Sequence, residues 1–167
     1  VFETDAAVFL VGTGTAANAL NLALMTPPFG AVFCHPEAHI QIDECGAPEF
    51  FTGGAKLLPL ADADGKITAQ DLEAALNAPD HGVHHVKPAA VSITQASEAG
   101  TLYSLDEIRA LCTVAHDHGL KTHMDGARFA NAVAALGCSP ADMTWRAGID
   151  GLSFGATKNG AMAAEAV

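Results

Sequence analysis

Apolar residues fall in short runs, each cut off by Gly, Pro or charge, and two kinds of run alternate along the chain. Ala7 to Val11, Ala31 to Cys34, Ala55 to Leu60, Pro88 to Thr94, Leu120 to Met124 and Ile149 to Phe154 are largely apolar stretches of strand length. Unbroken apolar runs of this length predict strands buried on both faces. Between them, Ala16 to Met25 carries Ala and Leu at helical spacing. Ile40 to Phe51 reads as a short helix led by Asp43-Glu44 and closed by Gly53-Gly54, and Thr68 to Leu76 as another. Ser104 and Glu107 have capping-box spacing, and the helix they open places Ile108, Leu111, Cys112 and Ala115 on one face before Gly119 ends it. Ala127 to Leu136 is a small-residue helix stopped by Gly137, and Ser139-Pro140 begins a short helix through Trp145. Strands alternating with helices predict an α/β fold of three layers, a mostly parallel sheet with helices on both faces.

Composition narrows the class. Half of the 167 residues are hydrophobic and 16% charged, which predicts one folded domain with a sizeable core. The start at Val1 and the stop shortly after Lys158 read as a domain cut at both ends, without a C-terminal small domain. A net charge of −11 argues against nucleic acid or an anionic membrane as partner. The apolar runs are too short to span a membrane, and no secretory leader pattern opens the chain. Cys34, Cys45, Cys112 and Cys138 lack C-x-x-C pairing and read as free thiols of a reducing compartment, the cytoplasm.

Candidate chemistry gathers where predicted strands end. Gly12-Thr13-Gly14-Thr15 stands between a strand and a helix, so its amides and hydroxyls make an anion site; an N-cap without a ligand reads equally well. It is not a dinucleotide fingerprint, because the third glycine position falls on Ala17. His35, Glu37 and His39 follow the second strand, but Pro36 and the lack of a third ligand disfavour metal. That stretch reads as a solvated loop, or as a flat imidazole laid on a flat aromatic ligand. Asp62-Ala63-Asp64-Gly65 is turn chemistry rather than a calcium loop, and the His-rich run from Asn77 to His85 is a polar connection. Gln95 to Thr101 is a polar loop after the Ile93 strand.

Two signatures near the end of the chain matter most: His123-Met124-Asp125-Gly126-Ala127-Arg128 and Ser153-Phe154-Gly155-Ala156-Thr157-Lys158-Asn159-Gly160. Taken singly, Asp125 reads as a turn or cap residue, Arg128 as its surface ion partner and Lys158 as an ordinary exposed lysine. Together they place a carboxylate and an amine at neighbouring strand ends. The small residues around Lys158 suit a bulky ligand and a partly desolvated, nucleophilic amine. Pyridoxal phosphate (PLP) needs this pairing: an amine for its aldehyde and a carboxylate for its ring nitrogen.

These motifs, with Val11 to Asn18, Glu37-Ala38-His39-Ile40 with Glu44, and Glu98 to Leu105, closely resemble the low-specificity L-threonine aldolases along essentially the whole chain. The resemblance implies the PLP-dependent transferase-like large domain and retro-aldol cleavage of L-threonine or L-allo-threonine to glycine and an aldehyde. It implies that Gly14 and Thr15 hold the cofactor phosphate and that His39 stacks on the ring and is a candidate base. Asp125 would pair with the ring nitrogen, Arg128 would reach its phenolic oxygen, and Lys158 would be the Schiff-base lysine. It implies a homodimer or homotetramer. One departure concerns Ser97, which stands where some family members have a second histidine. The chain has roughly half the family length and lacks the groups that bind the substrate carboxylate, so the expectation is a cofactor domain incomplete for catalysis. Another PLP lyase of the same fold type, or a non-catalytic nucleotide- or phosphate-binding module, are the competing readings.

Overall fold

The strands of the computed structural model, which describes residues 1–61, 63–79 and 82–167, are β1 (Leu10–Val11), β2 (Gly30–Cys34), β3 (Lys56–Pro59), β4 (Lys87–Thr94), β5 (Lys121–Gly126), β6 (Gly151–Gly155) and β7 (Glu165–Ala166). They form one sheet in the order β1-β7-β6-β5-β4-β2-β3. The run from β3 to β6 is parallel, while β7 is antiparallel to β6 and β1 antiparallel to β7. The chain steps outward from β2 to β3, crosses back to β4 and then proceeds the other way through β5 and β6. In such sheets ligands collect beyond the strands' carboxyl ends, near that reversal.

Helices cover both faces. On one lie α1 (Gly14–Met25), α2 (His39–Ile42) and α3 (Ala47–Phe51); on the other lie α4 (Ala69–Leu76), α5 (Leu105–Asp117), α6 (Phe129–Leu136) and α7 (Pro140–Met143). Strand alternation divides the core between them. Phe33, Val91, Ile93 and Met124 pack towards α5 with Ile108, Leu111 and Phe129, whereas Val32, Cys34 and Ala90 pack towards α1 with Leu22 and Ile40. The capping box of α5 is formed: Ser104 Oγ accepts from Glu107 N at 3.2 Å and Glu107 Oε2 accepts from Ser104 N at 2.7 Å.

The α1 side of the sheet is not wholly apolar. His123 is fully buried between two serines, with Ser92 Oγ 2.8 Å from Nδ1 and Ser153 Oγ 2.8 Å from Nε2. Asn21 of α1 donates to the same Ser153 Oγ at 3.0 Å. Both ring nitrogens thus have partners that a neutral imidazole satisfies. Burial, opposed by the Asp125 carboxylate, holds the His123 pKa down to about 4.

Several expectations need correction. The Ala7 to Val11 run is not a buried strand. The strand is only Leu10–Val11, extended by hydrogen bonds between Phe9 and Val167 at the sheet edge, and Val8, Phe9 and Leu10 are 65%, 63% and 85% exposed. The helix expected over Ile40 to Phe51 is two short helices, because Cys45 and Gly46 take left-handed backbone (φ 51° and 74°) and Pro48 restarts the second. β7 has no counterpart in the sequence reading. Asp64 and Gly65 form a left-handed turn as expected, and Gly82–His84 is a single 3-10 turn; Asp62, Asp80 and His81 of those stretches lie outside the described residues. All four cysteines are free thiols, and burial pushes Cys34 and Cys112 up to about 12.

Two measurements check this account. Ser104→Ala, by removing an N-cap acceptor, is expected to lower the unfolding free energy in urea by about 1 kcal/mol. For His123, the folded pKa lies below the unfolded value of about 6.5. Its stability contribution is therefore complete above that value and lost as the pH falls towards about 4. A plot of unfolding free energy against pH should flatten across that window in His123→Gln, whatever that variant's stability at pH 7.

Candidate active site

Gly14, Thr15, His39, Asp125, Arg128 and Lys158 all border one cavity of about 370 Å³ at the carboxyl ends of the central strands. Four chain segments bring them there. The β1–α1 turn supplies Gly14 and Thr15. Thr13 is the N-cap, its Oγ1 accepting from Ala16 N at 3.1 Å. The amides of Gly14 and Thr15 have no acceptor among the described residues, so the helix end presents them with the positive end of its dipole. The loop after β2 delivers His39 as the first residue of α2.

Asp125 is a strand residue and not a helix cap, although its side chain also closes a local turn onto Ala127. It lies within β5, in register with Thr94 of β4 and Ser153 of β6, and is 5% exposed. Its Oδ1 accepts from Ala127 N and its Oδ2 from Asn18 Nδ2, each at 2.9 Å. Gly126 follows because the sheet is tight there: a Cβ would stand 2.8 Å from both Leu152 Cδ1 and Ser153 O. Arg128, which taken singly reads as a surface ion partner of Asp125, forms no ion pair with it, and its guanidinium has no partner among the described residues while it borders the cavity.

Lys158 sits in a 3-10 turn, Thr157–Asn159, directly after β6. Asn159 clips this turn to the Asp125 segment by donating to Ala127 O at 3.1 Å and to Gly155 O, while Asn131 of α6 donates to Asn159 Oδ1 at 3.0 Å. The small residues around Lys158 do not desolvate it, contrary to expectation: it is exposed at the cavity mouth.

Other predicted positions are occupied differently. His35 Nδ1 accepts from Glu37 N at 3.1 Å, and among the described residues no three metal-ligating side chains converge. Ser97 is buried and tied to its own loop, its Oγ 2.7 Å from Thr101 Oγ1, so it does not face the cavity. The next residue, Glu98, does, and its Oε1 accepts from His39 N at 3.1 Å. Sequence reasoning gave no role to Glu98, Asn18, Glu44 or Glu165. Asn18 and Asn21 carried a usable signal, since two amides three residues apart in an Ala/Leu helix are polar groups on a core-facing surface.

The residue set fits PLP. The cavity is lined by uncommitted amides suited to a phosphate, a buried carboxylate whose two oxygens are already oriented, a guanidinium and an amine. One group works against this. Glu165 of β7 accepts from Thr157 Oγ1 at 2.8 Å and brings its other oxygen to 3.9 Å from a Cβ placed on Gly14, so a carboxylate stands beside the helix end that a phosphate would use.

The chain is 49% identical to low specificity L-threonine aldolases of a Pseudomonas species and of Pseudomonas aeruginosa, over its whole length and 48% of theirs. It therefore spans about half the length of these relatives. A Leishmania major threonine aldolase structure superposes with a TM-score of 0.85 at 32% identity, covering 97% of this chain and 46% of that one. The beta-eliminating lyase family model matches residues 1–167, and the chain belongs to that family.

Proposed function

We propose that this chain is the cofactor-binding part of a PLP-dependent carbon–carbon lyase cleaving β-hydroxy-α-amino acids, L-threonine and L-allo-threonine among them, to glycine and an aldehyde. The observation that carries the reading is the convergence of Asp125, Lys158, His39 and the α1 N-terminus on one cavity in a chain of this family. PLP, when bound, supplies the electron sink into which the Cα–Cβ bonding pair is drawn. Gly14 and Thr15 give backbone amides to its phosphate. Asp125, fixed by Asn18 and Ala127, keeps a proton on the ring nitrogen. Arg128 donates to the phenolic oxygen, and Lys158 is the point of covalent attachment. His39 would lie against the ring and would take the proton of the substrate's β-hydroxyl.

The single unit 1–167 is then a large cofactor domain, and complete turnover belongs to a protein of the relatives' full length. Exposed apolar side chains on the α1–α3 side, among them Leu24, Phe50 and Phe51, support a homodimer or homotetramer. No described helix is long and apolar enough to cross a membrane, and the four free thiols support a cytoplasmic setting.

Added PLP is expected to give a visible absorbance band, and borohydride to fix the cofactor on the peptide containing Lys158. Lys158→Ala must lose that adduct; a variant that still traps PLP would overturn the assignment. In the full-length protein, Asp125→Ala is expected to slow cleavage of L-allo-threonine on the order of 10²-fold or more. The isolated chain is expected to bind PLP without turnover, which an acetaldehyde assay checks.

A further inference from the structure

Glu44 is a buried charged group in contact with His39 of this site, and the chemistry above leaves it unused. Its side chain is fully buried, and the residue is 4% exposed. Oε1 takes two contacts: Asn18 Nδ2 at 2.7 Å and His39 Nδ1 at 3.0 Å. The same Asn18 Nδ2 donates to Asp125 Oδ2 at 2.9 Å, so one amide group bridges two buried carboxylates. Its orientation follows from its neighbours, because a flipped amide would turn its oxygen towards both. An oxygen accepting from Asn18 at 2.7 Å suits an ionised carboxylate, and the hydrogen between it and His39 then belongs to the imidazole. With Nδ1 engaged, Nε2 has no partner among the described residues, and His39 borders the cavity with its side chain 36% exposed.

We propose that Glu44 is the positioning residue of this site: it holds the Nδ1–H of His39, which leaves Nε2 as the proton-accepting nitrogen facing the cavity, and Asn18 ties that carboxylate to Asp125. The proposal rests on the reading of His39 as the base. Glu44 acts as the buried carboxylate of a catalytic triad does, selecting the tautomer without touching the substrate. Burial raises the Glu44 carboxyl above its ordinary value, against hydrogen bonds from Asn18 and His39, which makes it a stronger acceptor for that N–H. A carboxylate needed only to hold α2 in place would be replaced well by an amide of the same shape, and this is what separates the two roles.

The test uses the full-length, PLP-loaded protein with ¹⁵N-labelled histidine. Imidazole nitrogen shifts should show His39 protonated at Nδ1 in the wild type and at Nε2 in Glu44→Gln, where the new amide donates to Nδ1. Borohydride should still fix PLP on Lys158 in that variant, while cleavage falls on the order of 10²-fold. Glu44→Asp should keep the wild-type tautomer and recover part of the rate. An unchanged tautomer in Glu44→Gln, or a switched tautomer at full rate, overturns the proposal. Absence of trapping in the wild type strikes down the cofactor reading instead, and the nitrogen shifts alone then decide the His39–Glu44 assignment.

Discussion

Two carboxylates buried close together beneath a helix are costly unless donors hold them apart and shared donors offset their repulsion. Asn18 does this for Glu44 and Asp125. Because Asn18 lies one turn into α1, the same helix that presents free amides at its tip also fixes the acid at the cavity floor. His39 reaches the arrangement from the β2 loop through Glu44. Moving α1 by a fraction of an ångström would shift its free amides, the Asp125 carboxylate and the imidazole at once. The polar layer below, from Ser92 through His123 and Ser153 to Asn21, anchors α1 to three adjacent strands and sets that position.

Much of this was legible in the sequence because local rules decided it. Buried parallel strands announce themselves as apolar runs, and the Ser104–Glu107 box fixed the start of α5. Asp125 and Lys158 were visible as charges at strand ends, and parallel neighbours necessarily point those ends the same way. Partners distant in sequence stayed hidden. β1 reads as buried from composition, but its pairing depends on a strand at the other end of the chain. Asn18 meets the Glu44 carboxylate across 26 residues and the Asp125 carboxylate across 107, and no spacing rule reports such contacts.

Lys158 shows how composition misleads. Small neighbours leave room, and room admits water as readily as ligand. What fixes the lysine opposite Asp125 is therefore the Asn159 clip and its Asn131 brace rather than desolvation.

The sheet edge also dictates an order of assembly. Phe9 and Val167 exchange hydrogen bonds at 2.9 Å in both directions, and Leu10 pairs with Ala166. As the chain leaves the ribosome, the segment leading into the Gly12 to Thr15 turn is made before its strand partner. The central parallel strands can zip together while that segment still moves, and the turn is fastened only when Glu165 and Ala166 emerge. Loop closure over so long a span is entropically slow to be rewarded. The turn that opens α1 is thus synthesised before the strand that fastens it and set only after it.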